Sequence, residues 1–493
     1  MFYKEGMNVM QDVLKDLKPY EVFKYFEEIS RIPRGSANEK EISDYLVSFA
    51  KTYSLQVIQD SNLNVIIKKT ATLGYENSPI VILQGHMDMV CEKNSDTVHD
   101  FLKDPINLQI KEDMIYATGT TLGADNGIAI AMSLALLASK DISHPALEVL
   151  ITTEEETGMG GAMSLDALNI QGRLLINIDS EEEGKLLVSC AGGLRATTSF
   201  PIEFEKAREN SIACLLKVRG LKGGHSGMDI HKGKGNSNKI MSRLLKSLAS
   251  TLEFNLISLN GGSKSNAIPR EMDAIILIAP EQLTIVKQDL AEWNVILKNE
   301  FKVSDSEVRL ELEVLDKQFQ KVFSKDSTRK AIDLLVLIPS GIQTMSMEIE
   351  GLVQSSTNLG VVITTSDKVV YHSAIRSSVK SLKEDILVTS KVICEALGAN
   401  LETQSDYPNW EYDANSKIRN IFEDVYKKMY GVAPEIVAIH AGVECGIFKD
   451  KFGEIDMISF GPNLYDVHTP DEHMSISSVK NTWDYLLEVL KTI

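Results

Sequence analysis

The strongest constraint on this chain is a set of short apolar runs, each closed by a polar or acidic cluster. They are PIVILQGHMDMV (79–90), LEVLITT (147–153) and RLLINID (173–179). Continuous apolar runs of this length bounded by turn residues suit strands buried on both faces. Residues 126–139 (NGIAIAMSLALLAS) read as a buried helix, and 20–30 and 39–50 carry apolar residues at helical spacing. LNVIIKK (63–69) adds a further apolar run before the first of them. Strands alternating with helices predict an α/β fold with a mostly parallel sheet.

The texture changes after Cys190. Stretches such as LRATTSF, IACLLKVRG, VRLELEVLDK, SMEIEG (346–351), NLGVVITT and KVVYHSAIRSS alternate like half-exposed strands, and 237–250 and 281–300 look helical. That is the pattern of an α+β layer, an antiparallel sheet with helices on one face. Helical periodicity resumes at 416–430, IDMISF (455–460) is again a buried strand, and 476–491 looks like a last helix. The expected organisation is a discontinuous α/β domain, residues 1–189 and 400–493, with an α+β domain inserted at 190–399.

Composition narrows the class. With 493 residues, 43% apolar and 24% charged, the chain is not fibrous or wholly disordered. Fifty-one basic against 69 acidic side chains leave a net charge of −18, which disfavours nucleic acid as a partner. Five scattered cysteines without a CxxC pair fit reduced thiols in a cytosol. The first twenty residues hold no apolar h-region, so no signal peptide is expected. The longest apolar run, 128–138 interrupted by Ser133, is too short to cross a bilayer. A cytoplasmic protein without a membrane partner is expected.

Five pieces carry chemistry. In Gln84-Gly85-His86-Met87-Asp88, a strand would point His86 and Asp88 to one face, where a carboxylate can orient an imidazole toward a metal. Asp125, in TLGADNG, opens the buried helix and is either a ligand or a simple N-cap. Glu154-Glu155-Glu156 follows a buried strand and precedes a Gly-rich turn; such runs are commonly solvated, but here one carboxylate can bind a cation while its neighbour serves as a base. Asp179 ends the run RLLINID and would be costly to bury unpaired. His468, in DVHTPDE, lies in a loop after the strand MISF and could return a nitrogen ligand to the same sheet edge. Strand C-terminal ends of an open α/β sheet converge on one crevice. Two imidazoles, three carboxylates and one free Glu are the ligand types of a two-metal hydrolase.

In this order, the HxD pattern, the GADNG loop, EExG, a strand-end Asp and a late His resemble the co-catalytic zinc dipeptidase and aminoacylase metallopeptidases. TTLGADNGIAIAM (120–132), KGGHSGMDIHKGKGN (222–236), GGSKSNAIPRE (261–271), HAGVECGIF (440–448) and DVHTPDE (466–472) resemble the aminoacyl-histidine dipeptidases within that family. The likeness runs from about Tyr20 to the C-terminus, with Gly35 standing where a Pro is expected.

The resemblance implies a di-zinc peptidase domain with an inserted lid, and two Zn²⁺ (Mn²⁺ or Co²⁺ would also suit). It assigns His86 and Asp179 to one metal, Glu156 and His468 to the other, and Asp125 to both. Asp88 would orient His86. Glu155 would be the general base, since the pattern places a Gly two residues after the second Glu, and His225 would stabilise the oxyanion. Asn266, Arg376, Gly442 and Glu444 would contact substrate. The implied reaction is hydrolysis of Xaa-His, carnosine-like dipeptides by a water that Glu155 activates. A tripeptide aminopeptidase or an aminoacylase is the nearest alternative. A catalytically dead binding homologue and an acidic scaffold are the readings from other classes. The inserted domain could pair with a second subunit as a homodimer, or complete the site alone.

Overall fold

The computed structural model describes residues 12–493. The N-terminal stretch lacking an h-region falls partly on residues 1–11, outside the described residues. The chain divides into two compact units. The first comprises Met1–Val188, Tyr412–Val437 and Val443–Ile493; the second comprises Ser189–Glu411 and Ala438–Gly442.

The first unit is built on an eight-stranded sheet. Its strands run in the order Gln56–Gln59, Val65–Lys69, Leu147–Thr152, Val81–His86, Leu174–Asn177, Asp456–Ser459, Lys185–Cys190, Glu435–Ile439. Leu147–Thr152, Val81–His86, Leu174–Asn177 and Asp456–Ser459 are mutually parallel, and antiparallel strands flank them. Every residue of Val81–His86 and Leu147–Thr152 is buried, which is why these segments read as unbroken apolar runs. The helix Ala124–Ala138 is apolar all round and nearly all buried, and the amphipathic helix Tyr20–Ser30 packs on it through its buried face, which includes Val22, Phe23, Phe26 and Ile29.

The parallel strands set the site. Their C-terminal ends are His86, Thr152, Asn177 and Ser459, and each sequence-derived ligand lies at or beyond one of these ends or at the start of the helix Ala124–Ala138. Asp179 stands two residues past its strand, which stops at Asn177, rather than ending it. A small antiparallel sheet joins Leu108–Lys111, Met114–Ala117, His473–Ser475 and Leu464–Tyr465. It sets the loop before Asp125 beside the loop that carries His468.

The second unit is a nine-stranded sheet whose pairings are antiparallel. Ile212–Arg219 alternates buried and half-buried residues, and helices Ser237–Thr251 and Lys325–Leu337 bury their apolar faces with it in a core that includes Leu216, Leu244, Ile276 and Leu335. SMEIEG is not a strand. The strand is the preceding segment Gly341–Met345, and 346–351 is bend and turn, where Ser346 Oγ accepts from the backbone N–H of Glu348 and Ile349. No helix among the described residues is long and apolar enough to cross a membrane.

Candidate metal centre

Asp125 is the pivot of the first unit's site. Its Oδ1 lies 3.2 Å from His86 Nε2 and its Oδ2 lies 3.1 Å from His468 Nε2. His86 Nε2 also faces Asp179 Oδ1 at 3.4 Å, and His468 Nε2 faces Glu156 Oε1 at 3.0 Å. Two donor sets thus share one carboxylate, with one imidazole and one further carboxylate in each. Donor atoms of His86, Asp125 and Glu156 all fall within 4.8 Å of one another.

The backbone that presents these groups is tied down locally. Asp88 Oδ1 accepts from the Glu155 N–H at 3.0 Å and its Oδ2 from the Glu156 N–H at 3.2 Å and from Ser36 Oγ at 2.8 Å. Asp88 Oδ1 is also 3.3 Å from His86 Nδ1. One buried carboxylate therefore orients an imidazole and caps the turn that opens at Glu155. Glu154 and His468 hold left-handed backbone, with φ of 54° and 63°, a cost that surrounding contacts must offset. Glu154 is exposed, whereas Glu155 and Glu156 are half-buried.

Electrostatics fit a cation. Burial alone would lower the His86 pKa, but Asp179, Asp125 and Asp88 reverse this and hold it well above the ordinary value. Hydrogen bonds that the His468 ring donates to Asp125 and Glu156 raise its pKa to about 11. Burial, with Asp179, Glu444 and Glu156 nearby, pushes Glu155 far above the usual carboxylate range, and burial with Asp125 and Glu156 nearby raises Asp179. Four acids crowd two imidazoles, and the protein alone relieves that crowding only by binding protons. Divalent cations would relieve it instead, and the mix of imidazole nitrogen and carboxylate oxygen suits Zn²⁺.

Glu444 belongs to the same unit and is fully buried. Its Oε2 accepts from Gln84 Nε2 at 2.6 Å and from Thr152 Oγ1 at 2.9 Å, while its Oε1 meets no partner among the described residues. Burial pushes its carboxyl up to about 7.

The other sequence-derived residues lie in the second unit. His225 Nδ1 accepts from the N–H of Gly227 and Met228, at 3.3 and 3.1 Å. The neutral ring therefore carries its hydrogen on Nε2, as a donor. Burial, with Arg376 near, lowers the His225 pKa and favours that neutral form. His225 pairs with Ala267 across a two-strand ladder, and the Asn266 carbonyl accepts from the Ser226 N–H. Arg376 Nη1 donates to Tyr407 Oη at 2.8 Å, and its buried Nε has no partner among the described residues.

Gly442 lies flat on the Tyr407 ring, where an added Cβ would come within 2.6 Å of Cε2. A Cβ on Gly193 would likewise come within 2.4 Å of the Tyr407 hydroxyl. Sequence reasoning passed over Tyr407. Its signal is indirect, in the small residues that leave its ring room.

Comparison with known proteins resolves the family. The profile of peptidase family M20/M25/M40 matches residues 82–492. The chain belongs to this family. It is 40% identical over 480 residues to the cytosol non-specific dipeptidase of Escherichia coli (strain K12), covering 97% of this chain and 99% of that protein. The M20 fold also superposes on the crystal structure of aminoacylhistidine dipeptidase from Vibrio alginolyticus with a TM-score of 0.94, at 40% identity over 99% of both chains. Aminopeptidase PepT from Bacillus cereus shares the fold, with a TM-score of 0.56 at 15% identity over 96% of this chain and 98% of that one. The α/β class and the family resemblance read from the motifs agree with these findings.

Proposed function

We propose that this M20 chain is a cytosolic, metal-dependent dipeptidase that takes two Zn²⁺ and cleaves dipeptides, the Xaa-His type among them. The observation that carries the reading is Asp125, which turns one carboxylate oxygen toward each of two imidazoles that have their own acidic partners, Asp179 and Glu156. The names of the two relatives at 40% identity support dipeptides as the substrate class. When bound, the cations supply Lewis acidity and make a water acidic enough to deprotonate near neutral pH.

His86 and Asp179 would hold one ion, Glu156 and His468 the other, and Asp125 both. Asp88 keeps His86 in the tautomer that leaves Nε2 free for a ligand bond. Glu155 takes a proton from the attacking water and returns it to the leaving amine. From the second unit, His225 offers an Nε2–H suited to a developing oxyanion, and Arg376 a half-satisfied guanidinium suited to a carboxylate. Asn266, Gly442 and, from the first unit, Glu444 complete the proposed substrate contacts.

The test is hydrolysis of β-Ala-His, Gly-His, Leu-Gly and a tripeptide, before and after chelation and with Zn²⁺ restored. Metal-dependent cleavage of the dipeptides with the tripeptide spared is expected. Preferential cleavage of the tripeptide or of N-acyl amino acids would move the substrate class, and indifference to chelation would end the metal reading. In the same assay, Glu155→Ala should bind metal and lose roughly 10²–10⁴-fold in kcat. Glu154→Ala should turn over normally; the reverse pattern would shift the base by one residue.

A further inference from the structure

Asp125 stands at a kink at the entry to the buried helix, its backbone and that of Asn126 non-helical, with ψ of 107° and 34°. The N-cap position is Gly123, and no side-chain cap bond is made from it. The acceptor for the exposed N–H groups comes from elsewhere. Glu472, only 2% exposed, accepts from four successive backbone N–H groups: Leu122 at 2.7 Å, Gly123 at 3.0 Å, Ala124 at 2.8 Å and Asp125 at 3.4 Å. A second buried charge closes the arrangement. Arg34, also 2% exposed, donates through Nη1 to the carbonyls of Met87 at 3.1 Å and Asp88 at 3.3 Å, and through Nη2 to that of Gly123. Its guanidinium occupies the space that a Cβ on Gly123 or Gly127 would need.

These two side chains touch three of the segments that carry the donor set. Glu472 sits four residues after His468 and grips the backbone of Asp125. Arg34 joins the turn before Asp125 to the backbone just past His86. We propose that Glu472 and Arg34 are positioning residues of the metal centre: Glu472 engages the N–H groups of the turn Leu122–Asp125 that leads into the kink, so that the Asp125 carboxylate is released to face both imidazoles, and it locks the His468 loop to the Asp125 loop at the spacing two cations need.

The chemistry supports the division of labour. A free Asp at a helix start satisfies its own N–H groups and points inward along the backbone. With those donors already engaged by a carboxylate of fixed reach, Asp125 has no local partner to turn to. Four converging backbone N–H groups suit a buried anion, and Arg34 adds a full charge to the same neighbourhood. Removing that anion should leave the Leu122–Asp125 N–H groups without their acceptor and draw the Asp125 carboxylate toward them.

The proposal rests on Asp125 and His468 being metal ligands. It is tested by Zn²⁺ titration of chelator-stripped protein against a chromophoric competitor, alongside thermal melts of the apo forms. Glu472→Gln keeps the shape but replaces one accepting oxygen by an NH₂ group facing N–H donors. It should weaken Zn²⁺ binding about 10–100-fold, the range for loss of a group that orients ligands. Asp471→Asn removes the same formal charge from the exposed neighbouring residue and should leave the affinity unchanged.

Glu472→Gln with wild-type Zn²⁺ affinity, whatever its melting point, would overturn the proposal and leave Glu472 a structural cap only. Equal weakening by Asp471→Asn would overturn it in favour of net charge. If Glu472→Gln does not fold, Arg34→Lys carries the test: weakened affinity supports the clamp and wild-type affinity refutes it. A wild-type protein that binds no Zn²⁺ would instead end the metal-ligand reading beneath it.

Discussion

His440 is a buried imidazole that the fold keeps neutral. It is 7% exposed, and its Nε2 bonds Ser356 Oγ at 2.7 Å. Burial, then the charge of Arg376 and the rings of His231 and His225, depress it from 6.5 to about 3. Between those values the unfolded chain binds a proton that the folded chain refuses, so its contribution to stability is intact above pH 6.5 and is lost as pH falls toward 3. The slope for one such group is at most about 1.4 kcal/mol per pH unit. His440→Gln keeps a polar group within reach of Ser356 and does not titrate. Urea unfolding at pH 6.5 and 4.5 should show the wild type losing about 2 kcal/mol more than the variant across that interval. Equal losses would mean that His440 is protonated inside the fold.

At the scale of elements, the site depends on how closely one strand and one helix approach. A Cβ on Gly85, in the strand Val81–His86, would come within 2.4 Å of Asn126 Oδ1 and 2.6 Å of the Ala129 Cβ, both on the helix Ala124–Ala138. Asn126 is itself engaged, its amide donating to the Ile178 carbonyl at 2.7 Å, and Ala129 is held by the helix backbone. Gly85→Ala must therefore push the helix away from the strand, and with it Asp125 away from His86. A loss of about 1–3 kcal/mol in stability is expected, as for overpacked cores, with a fall in bound metal measured by elemental analysis. A variant with full metal content and an unchanged melting point would show that the strand–helix spacing is soft.

This spacing also marks the limit of what the sequence conveys. The strands could be read because burial on both faces leaves an unbroken apolar run, and the buried helix because it is apolar on nearly every face, but the apolar run to Asp179 overshot the strand end at Asn177. The segment SMEIEG misled because its apolar–polar alternation mimics a strand, while Ser346 turns the chain back on itself. The partners of Glu472 and Tyr407 were invisible for a different reason. A residue far along the chain meets backbone N–H groups or an arginine fork, and neither leaves a periodic trace.

For the whole molecule, the proposed donor residues His86, Asp125, Glu156, Asp179 and His468 are drawn from two of the first unit's three stretches of chain and from none of the second unit's. The first unit thus concentrates like charge that a cation would offset, while the second has an apolar core of its own. Ligand binding stabilises the form that binds by an amount set by concentration over Kd, about 2.7 kcal/mol at one hundred times Kd. Chelation should therefore act unevenly. Hydrogen exchange of the stripped protein should accelerate in the loops that follow His86, Thr152, Asn177 and Ser459 and at the start of the helix Ala124–Ala138. The antiparallel sheet of the second unit, from Ile212–Arg219 to Lys368–Ser377, should keep its protection. Zn²⁺ should restore the slow exchange, and Mg²⁺, which favours all-oxygen ligands, should restore it poorly. Uniform acceleration through both units would mean that the metal stabilises the chain as one cooperative body. No acceleration anywhere would mean that the acidic loops are held by their hydrogen bonds alone, with the two protonated imidazoles standing in for the cations.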